Sequence, residues 1–133
     1  MKKLLSLVAL VTLLAGVSFA EGASLPVEGS WGTSFQNNGF TFDITMKLQN
    51  QQMTTTNVCK APDGRSAVAS VTVPANYDAS TITVLGTAEQ HVSQNGLDCN
   101  VSVKPDRMNY QIAGSALILT HEGQNDQFVL TRR

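Results

Sequence analysis

Two Asn-Gly pairs, at positions 38–39 and 95–96, constrain the fold of this chain more than any other feature of its sequence. Asn-Gly is a preferred centre for a two-residue β-hairpin turn, and such a turn fixes which residues lie opposite each other on the two strands. The first turn sets Phe35 opposite Phe42. In both hairpins the apolar residues then share one face and the polar residues the other, which predicts antiparallel sheets.

Shorter turn signals continue this pattern along the chain, at Asn50-Gln51 and at positions 62–64, 104–107, 114–115 and 123–126. With each turn placed this way, the apolar residues of successive strands stay on the same side of the sheet. This agreement between the turn residues and the alternation of apolar and polar residues favours a continuous antiparallel meander. The predicted cross-strand pairs are Leu48 with Met53, Cys59 with Ala67, Val92 with Cys99, Val103 with Met108, Tyr110 with Leu119, His121 with Phe128, and Leu119 with Leu130.

The predicted fold class is therefore all-β, an antiparallel up-and-down meander closed into a small barrel of 8–10 strands with one disulfide. An up-and-down barrel needs an even number of strands. The stretch 80–94 is unusually long, and Gly86 is predicted to mark a bulge or a break within it. The turns predict nine strands, over 30–36, 40–49, 52–60, 66–73, 80–94, 97–104, 107–113, 116–122 and 127–132.

Cys59 and Cys99 are the chain's two cysteines, and both fall on the apolar face of their predicted strands. In an oxidising compartment an even pair predicts a disulfide, which would contribute about 4 kcal/mol by the chain-entropy estimate. A disulfide needs Cα atoms within about 7 Å of each other. The two strands are not neighbours in a flat meander, so the sheet is predicted to curl back on itself.

The first 20 residues have the pattern of a secretory signal peptide, with Lys2 and Lys3 before an apolar run and small residues before a cleavage point at Ala20. The predicted location is therefore the periplasm of a bacterium or the medium, and residues 21–133 form a single β-barrel domain. The apolar run is too short to span a bilayer comfortably, so no membrane span is expected in the mature chain.

A short motif, Gly29-Ser30-Trp31, stands at the start of the first strand, and the chain ends in "FVLTRR". In this the sequence resembles the lipocalin-like group of the calycin superfamily, whose members are meander barrels. The resemblance implies that Trp31 packs under Arg132 from the last strand and that the pair closes the barrel. A cation–π contact of this kind contributes about 0.5–2 kcal/mol.

The sequence contains few residues that are suited to catalysis, metal binding or nucleic-acid binding. The 9 basic and 10 acidic residues balance, so the chain has no electrostatic footprint for nucleic acid. No Gly-x-Ser-x-Gly elbow, free cysteine or inward carboxylate pair is present in the predicted arrangement. His91 and Glu89 would share one strand face, but a closed metal site needs three or four ligands. The expectation is a protein that is not an enzyme, with neither a metal nor a cofactor.

The predicted inner wall sets large side chains on the first strands against small ones such as Ala67 and Ala69. Such a pattern fills a tapered barrel or leaves a cavity for one small ligand. The polar candidates for orienting a ligand are Asn57, Gln90, Tyr110 and His121.

Two functional hypotheses follow. The first is an exported lipocalin-like protein that holds a small, mostly apolar molecule inside its barrel. The alternative is a solid-core module, such as a protease inhibitor or an envelope-associated factor, that contacts an envelope or secreted protein. Its working surface would be the N-terminus or a loop such as 74–79.

Overall fold

The computed structural model describes residues 25–133, so the predicted signal peptide lies outside the described residues. No helix in residues 25–133 is long and apolar enough to cross a membrane. This part of the chain forms ten strands: β1 (Gly29–Asn37), β2 (Phe40–Gln49), β3 (Gln52–Lys60), β4 (Ser66–Tyr77), β5 (Thr81–Val84), β6 (Ala88–Gln94), β7 (Leu97–Val103), β8 (Asp106–Ala113), β9 (Ala116–His121) and β10 (Gln127–Arg132).

Eight of these strands close into an antiparallel barrel in the order β1-β10-β9-β8-β5-β4-β3-β2. Closure joins β1 to β10, with Trp31 opposite Arg132 and Gly32 opposite Thr131. The predicted fold class is confirmed, because the described residues are all-β and form a closed antiparallel barrel with one disulfide.

The prediction of nine strands is wrong, because the predicted strand 80–94 is two strands, β5 and β6. The break falls at Gly86, where the chain passes close to β4. A Cβ atom on Gly86 would lie 3.0 Å from the Cβ atom of Val73, and the backbone N–H of Leu85 donates to the carbonyl of Pro74 at 3.0 Å. The chain leaves the barrel at this point.

Strands β6 and β7 form a two-stranded sheet outside the barrel ladder. Strand β5 pairs directly with β8, and Val84 lies opposite Asp106. The predicted pairing of Val103 with Met108 is therefore wrong: the segment 104–105 returns the chain to the barrel rather than forming a tight turn. Val103 instead pairs with Ala88 within the hairpin.

The predicted register between the last two strands is also wrong, by two residues. Phe128 lies opposite Leu119, and not opposite His121. The turn lies at 122–123, where the N–H of Gln124 donates to the carbonyl of His121 at 3.0 Å, and not at the predicted 123–126. Irregular residues follow it, so the turn does not set the register. The other predicted pairs are confirmed: Leu48 with Met53, Cys59 with Ala67, Val92 with Cys99, Tyr110 with Leu119, and Phe35 with Phe42.

One apolar core fills the closed part of the barrel. Its fully buried members include Trp31, Leu48, Ile82 and Leu117, each 0% exposed. The segment before β1 packs under the barrel, since Val27 is 0% exposed as well. Side chains therefore occupy the interior at the level where β1 meets β10.

A second cluster joins the hairpin to the rest of the molecule. Leu97, Cys99 and Val101 pack against Cys59 and Ala67 on the inner face of β3 and β4. The predicted disulfide is confirmed, with a Cα–Cα distance of 5.8 Å. Its cause differs from the prediction, because the hairpin folds over the sheet and brings Cys99 to Cys59.

Candidate functional site

The ladder that closes the barrel is short. Pairing between β1 and β10 ends at Gly32 and Thr131, but β1 continues through 33–37 and β10 begins at 127. Residues 33–37 and 127–130 have strand neighbours on their other sides, β2 and β9. We call the gap between these two strand segments the seam.

Two phenylalanines flank the seam. If the ladder continued in register past Gly32 and Thr131, Phe35 would lie opposite Phe128. Both belong to the inner face by strand alternation, since Trp31 and Leu130 on the same faces are buried. Phe35 is nevertheless 49% exposed and Phe128 57% exposed. Two aromatic side chains on an inner face therefore remain open to solvent.

Beside the seam, a row of apolar side chains on the inner face runs across four strands, and we call this row the floor of the seam. Phe35 pairs with Phe42, Phe42 with Cys59, and Cys59 with Ala67. The rings of Phe35 and Phe42 stack with centroids 5.2 Å apart. Exposure falls from 49% at Phe35 to 1% at Ala67, because the hairpin contacts β3 and β4 and leaves the β1 side of the row uncovered.

Backbone groups point into the seam at every second residue. In an antiparallel pair the residues alternate between those that bond one neighbour and those that bond the other. The N–H of Arg133 donates to the carbonyl of Ser30 at 2.9 Å, so the even-numbered residues of β1 bond towards β10. The same alternation directs the N–H and C=O groups of Ser34 and Gln36 into the seam.

A cluster of hydrogen-bonded polar side chains lies on the outer face of β1 and β2, beside the seam. Ser34 Oγ donates to Asp43 at 2.5 Å, and Arg133 Nη1 donates to the same carboxylate at 2.6 Å. The hydrogen bond from Ser34, followed by the interaction with Arg133, lowers the pKa of Asp43 below its usual value. Residues 33–37 and 127–130 themselves carry no ionisable side chain, so the seam is electrically neutral.

Trp31 and Arg132 lie at the closed end of the barrel, away from the seam. The Arg132 guanidinium carbon is 3.8 Å from the centroid of the Trp31 ring. Arg132 also donates to the carbonyls of Glu28 and Pro26, at 2.7 Å each. Trp31 Nε1 donates to the carbonyl of Val27 at 2.8 Å. Together these contacts hold the segment before β1 under the barrel.

The predicted ligand-orienting residues do not converge on one site. Asn57 lies under the hairpin, where its Nδ2 donates to the carbonyl of Asn100 at 2.9 Å and its buried Oδ1 has no partner among the described residues. Gln90 is exposed, and its Oε1 accepts from the backbone N–H of Ser70 at 2.7 Å. Both amides fasten the hairpin to the sheet.

Tyr110 and His121 are also engaged by the protein. Tyr110 is buried and its hydroxyl donates to the carbonyl of Asp78. Burial, with a smaller contribution from the charge of Asp78, raises the pKa of Tyr110. His121 is half-buried, with Nδ1 2.6 Å from Asp106 Oδ2 and its ring 5.9 Å from the ring of Phe128. His121 thus lies near the seam, whereas Tyr110 belongs to the core.

The other surfaces of the described residues have fewer features of a binding site. An open depression of about 620 Å³ includes Tyr110, Ile112 and Pro26, but the Tyr110 hydroxyl is already bonded. The predicted loop 74–79 is shorter than expected, because β4 extends through Tyr77. Within residues 25–133, no group of three or more His, Cys, Asp or Glu side chains is placed to hold a metal ion.

The fold defines the class of this protein as an all-β protein built on an eight-stranded closed antiparallel barrel. Comparison with known protein families, with curated proteins and with solved structures finds no significant match for the chain.

The seam was missed by sequence reasoning. The turn pattern predicts Phe35 on the inner wall of a closed barrel and gives no reason for β1 and β10 to separate there. The sequence does not mark these edges, because 33–37 and 127–130 lack the Lys, Pro and acidic residues with which natural proteins often protect a free strand edge.

Proposed function

We propose that this protein is an exported, lipocalin-like binding protein that takes a mostly apolar ligand at the seam. The single observation that carries the proposal is the pair of half-exposed aromatic side chains, Phe35 and Phe128, on the inner face beside unpaired strand edges. Exposed apolar surface next to a concave face is typical of binding sites. We place the ligand there, and not deeper, because side chains fill the closed part of the barrel.

The electrostatics of the seam support an apolar ligand. No ionisable group lies on either flanking segment. The nearby Asp43 and His121 are already paired, with Arg133 and with Asp106. A charged ligand would lose its hydration there without gaining a partner, which is costly. A neutral, apolar ligand avoids this cost.

The binding site can be tested with the apolar fluorescent dye ANS and two double variants. Phe35→Ser/Phe128→Ser removes the inner-face aromatics. Val68→Ser/Val129→Ser is the matched control, since Val68 and Val129 are 48% and 53% exposed but lie on the outer face. We expect saturable dye binding to the unmodified protein and the control, and at least about tenfold weaker binding to the phenylalanine variant, a loss of about 1.4 kcal/mol.

Equal dye binding by both double variants, or no saturable binding by the unmodified protein, would contradict the proposal. Circular dichroism establishes that each variant is folded before its binding is compared. The export component is tested separately by N-terminal sequencing of the mature protein, which we expect to begin at Glu21.

A further inference from the structure

We propose that the ligand of the seam is an extended peptide segment of another protein, which adds a strand to the free edge of β1. This inference rests on the proposed function and names the class of ligand. It is carried by the two strand edges that the seam leaves without partners, at 33–37 and 127–130.

Within the barrel sheet, the free edge of β4 is covered by the β6–β7 hairpin. Residues 66–73 of β4 extend beyond the segment that pairs with β5. There the hairpin supplies the missing partners: Ser70 N–H donates to Gln90 Oε1, and Asn95 Nδ2 donates to the carbonyl of Ser66 at 3.0 Å. The seam has no such cover in the described part of the chain, so Ser34 and Gln36 offer backbone donors and acceptors to an incoming strand.

The size of the edge favours a peptide over a second copy of this chain. Five residues of strand are about 17 Å long and about 10 Å wide, which gives on the order of 200 Å² of contact on one partner. A stable dimer needs about 800 Å² per partner. A peptide that enters the seam gains more than edge pairing, because its side chains also reach the floor at Phe42 and the flank at Phe128.

The geometry also specifies the peptide's pattern. In an antiparallel pair with β1, residues opposite Phe35 point inward to the apolar floor, and residues opposite Ser34 and Gln36 point outward. The outward residues are also those whose backbone N–H and C=O groups bond to β1. The neutral seam therefore suits a segment in which apolar residues alternate with small polar ones and no charged residue faces inward.

The test uses a capped seven-residue peptide in which valine alternates with threonine, followed by fluorescence polarisation. One version is N-methylated on its threonines, which blocks the bonds to β1, and a matched version is N-methylated on its valines. We expect the threonine-methylated peptide to bind at least about tenfold more weakly than the valine-methylated one, as for the loss of two hydrogen bonds.

A variant of the protein provides a second, independent test of strand addition to β1. Gln36→Pro removes a backbone donor that points into the seam and is not needed by β2, and Gln36→Ala is its matched control. We expect Gln36→Pro to weaken peptide binding at least about tenfold, with ANS binding unchanged, while Gln36→Ala retains both.

Each outcome separates the two proposals. If ANS binds at the seam but the peptide does not, or both methylated peptides bind equally, the ligand is not an added strand and the proposed function survives. If neither probe binds, the proposed function fails too. Dimer formation by the protein alone that Gln36→Pro abolishes, measured by light scattering, would overturn the peptide inference in favour of a second copy.

Discussion

The closed end of the barrel and its open end are built from the same strands in opposite ways. At the closed end Trp31 is 0% exposed and is held by contacts to Arg132 and Val27. Four residues further along the same strand face, Phe35 is 49% exposed. The strand does not change, but its neighbour β10 diverges. Burial is therefore complete at one end of this continuous sheet, and apolar side chains are half exposed at the other.

Among the variants that test this comparison, Trp31→Ala is expected to lower the free energy of unfolding most. It removes a fully buried aromatic side chain and leaves a cavity, which costs about 3–5 kcal/mol of unfolding free energy. Phe35→Ala, a matched change at the open end, should cost about 1 kcal/mol, because the side chain is only half buried. Chemical denaturation measures both. Similar losses for the two variants would show that the ends do not differ in packing.

The double variant Cys59→Ala/Cys99→Ala is expected to rank second, with a loss of about 2–5 kcal/mol. The disulfide fastens the hairpin to β3, so hydrogen exchange should show residues 88–103 losing protection more than the closed barrel. A reducing agent should lower the melting temperature of the unmodified protein and leave that of the double variant unchanged. A melting temperature that does not change on reduction would contradict a stabilising bridge.

Tyr110→Phe is expected to cost about 1 kcal/mol, because it removes the hydroxyl that donates to the Asp78 carbonyl. The pKa of Tyr110 is raised by burial, so the stability tied to its neutral form is present below the ordinary pKa near 10. That stability is lost as the pH rises through the folded-state pKa. Denaturation at several alkaline pH values should therefore show a smaller loss of stability with pH in the Phe variant than in the unmodified protein.

Asp43→Asn is expected to have the smallest effect, below about 1 kcal/mol, because the carboxylate lies at the surface. The pKa of Asp43 is lowered by the hydrogen bond from Ser34 and by Arg133. Its contribution is therefore present above the unfolded-state pKa near 3.8 and lost as the pH falls through the folded-state value. Thermal melts between neutral and acidic pH should show a shallower acid dependence in the variant. An identical pH profile would contradict this role.

The accuracy with which the sequence predicts each strand pairing depends on how far apart the paired residues lie along the chain. The tight turns at 38–39, 50–51, 95–96 and 114–115 determine their registers locally, and the structure confirms the pairs they set. In the five-residue loop 122–126 a turn at 122–123 is followed by irregular residues that separate it from β10, and the predicted register is wrong by two residues.

The candidate site was harder to predict because no turn connects its two sides. Whether β1 and β10 stay paired beyond Gly32 and Thr131 depends on the curvature of the whole barrel, which no local pattern specifies. The disulfide was predicted from chemistry and strand alternation alone. Its geometric reason, a hairpin that leaves the barrel at Gly86, depended on a pairing of β5 with β8 that turn signals do not reveal.

That pairing has a consequence for the architecture as a whole. Val84 and Asp106 are direct neighbours across the β5–β8 ladder although residues 85–105 lie between them in the chain. A link of two residues suffices to join such a pair in an ordinary hairpin. The β6–β7 unit thus occupies a single joint of an eight-stranded meander, so a shortened chain that links Val84 to Asp106 by a two-residue turn would keep the same order of barrel strands.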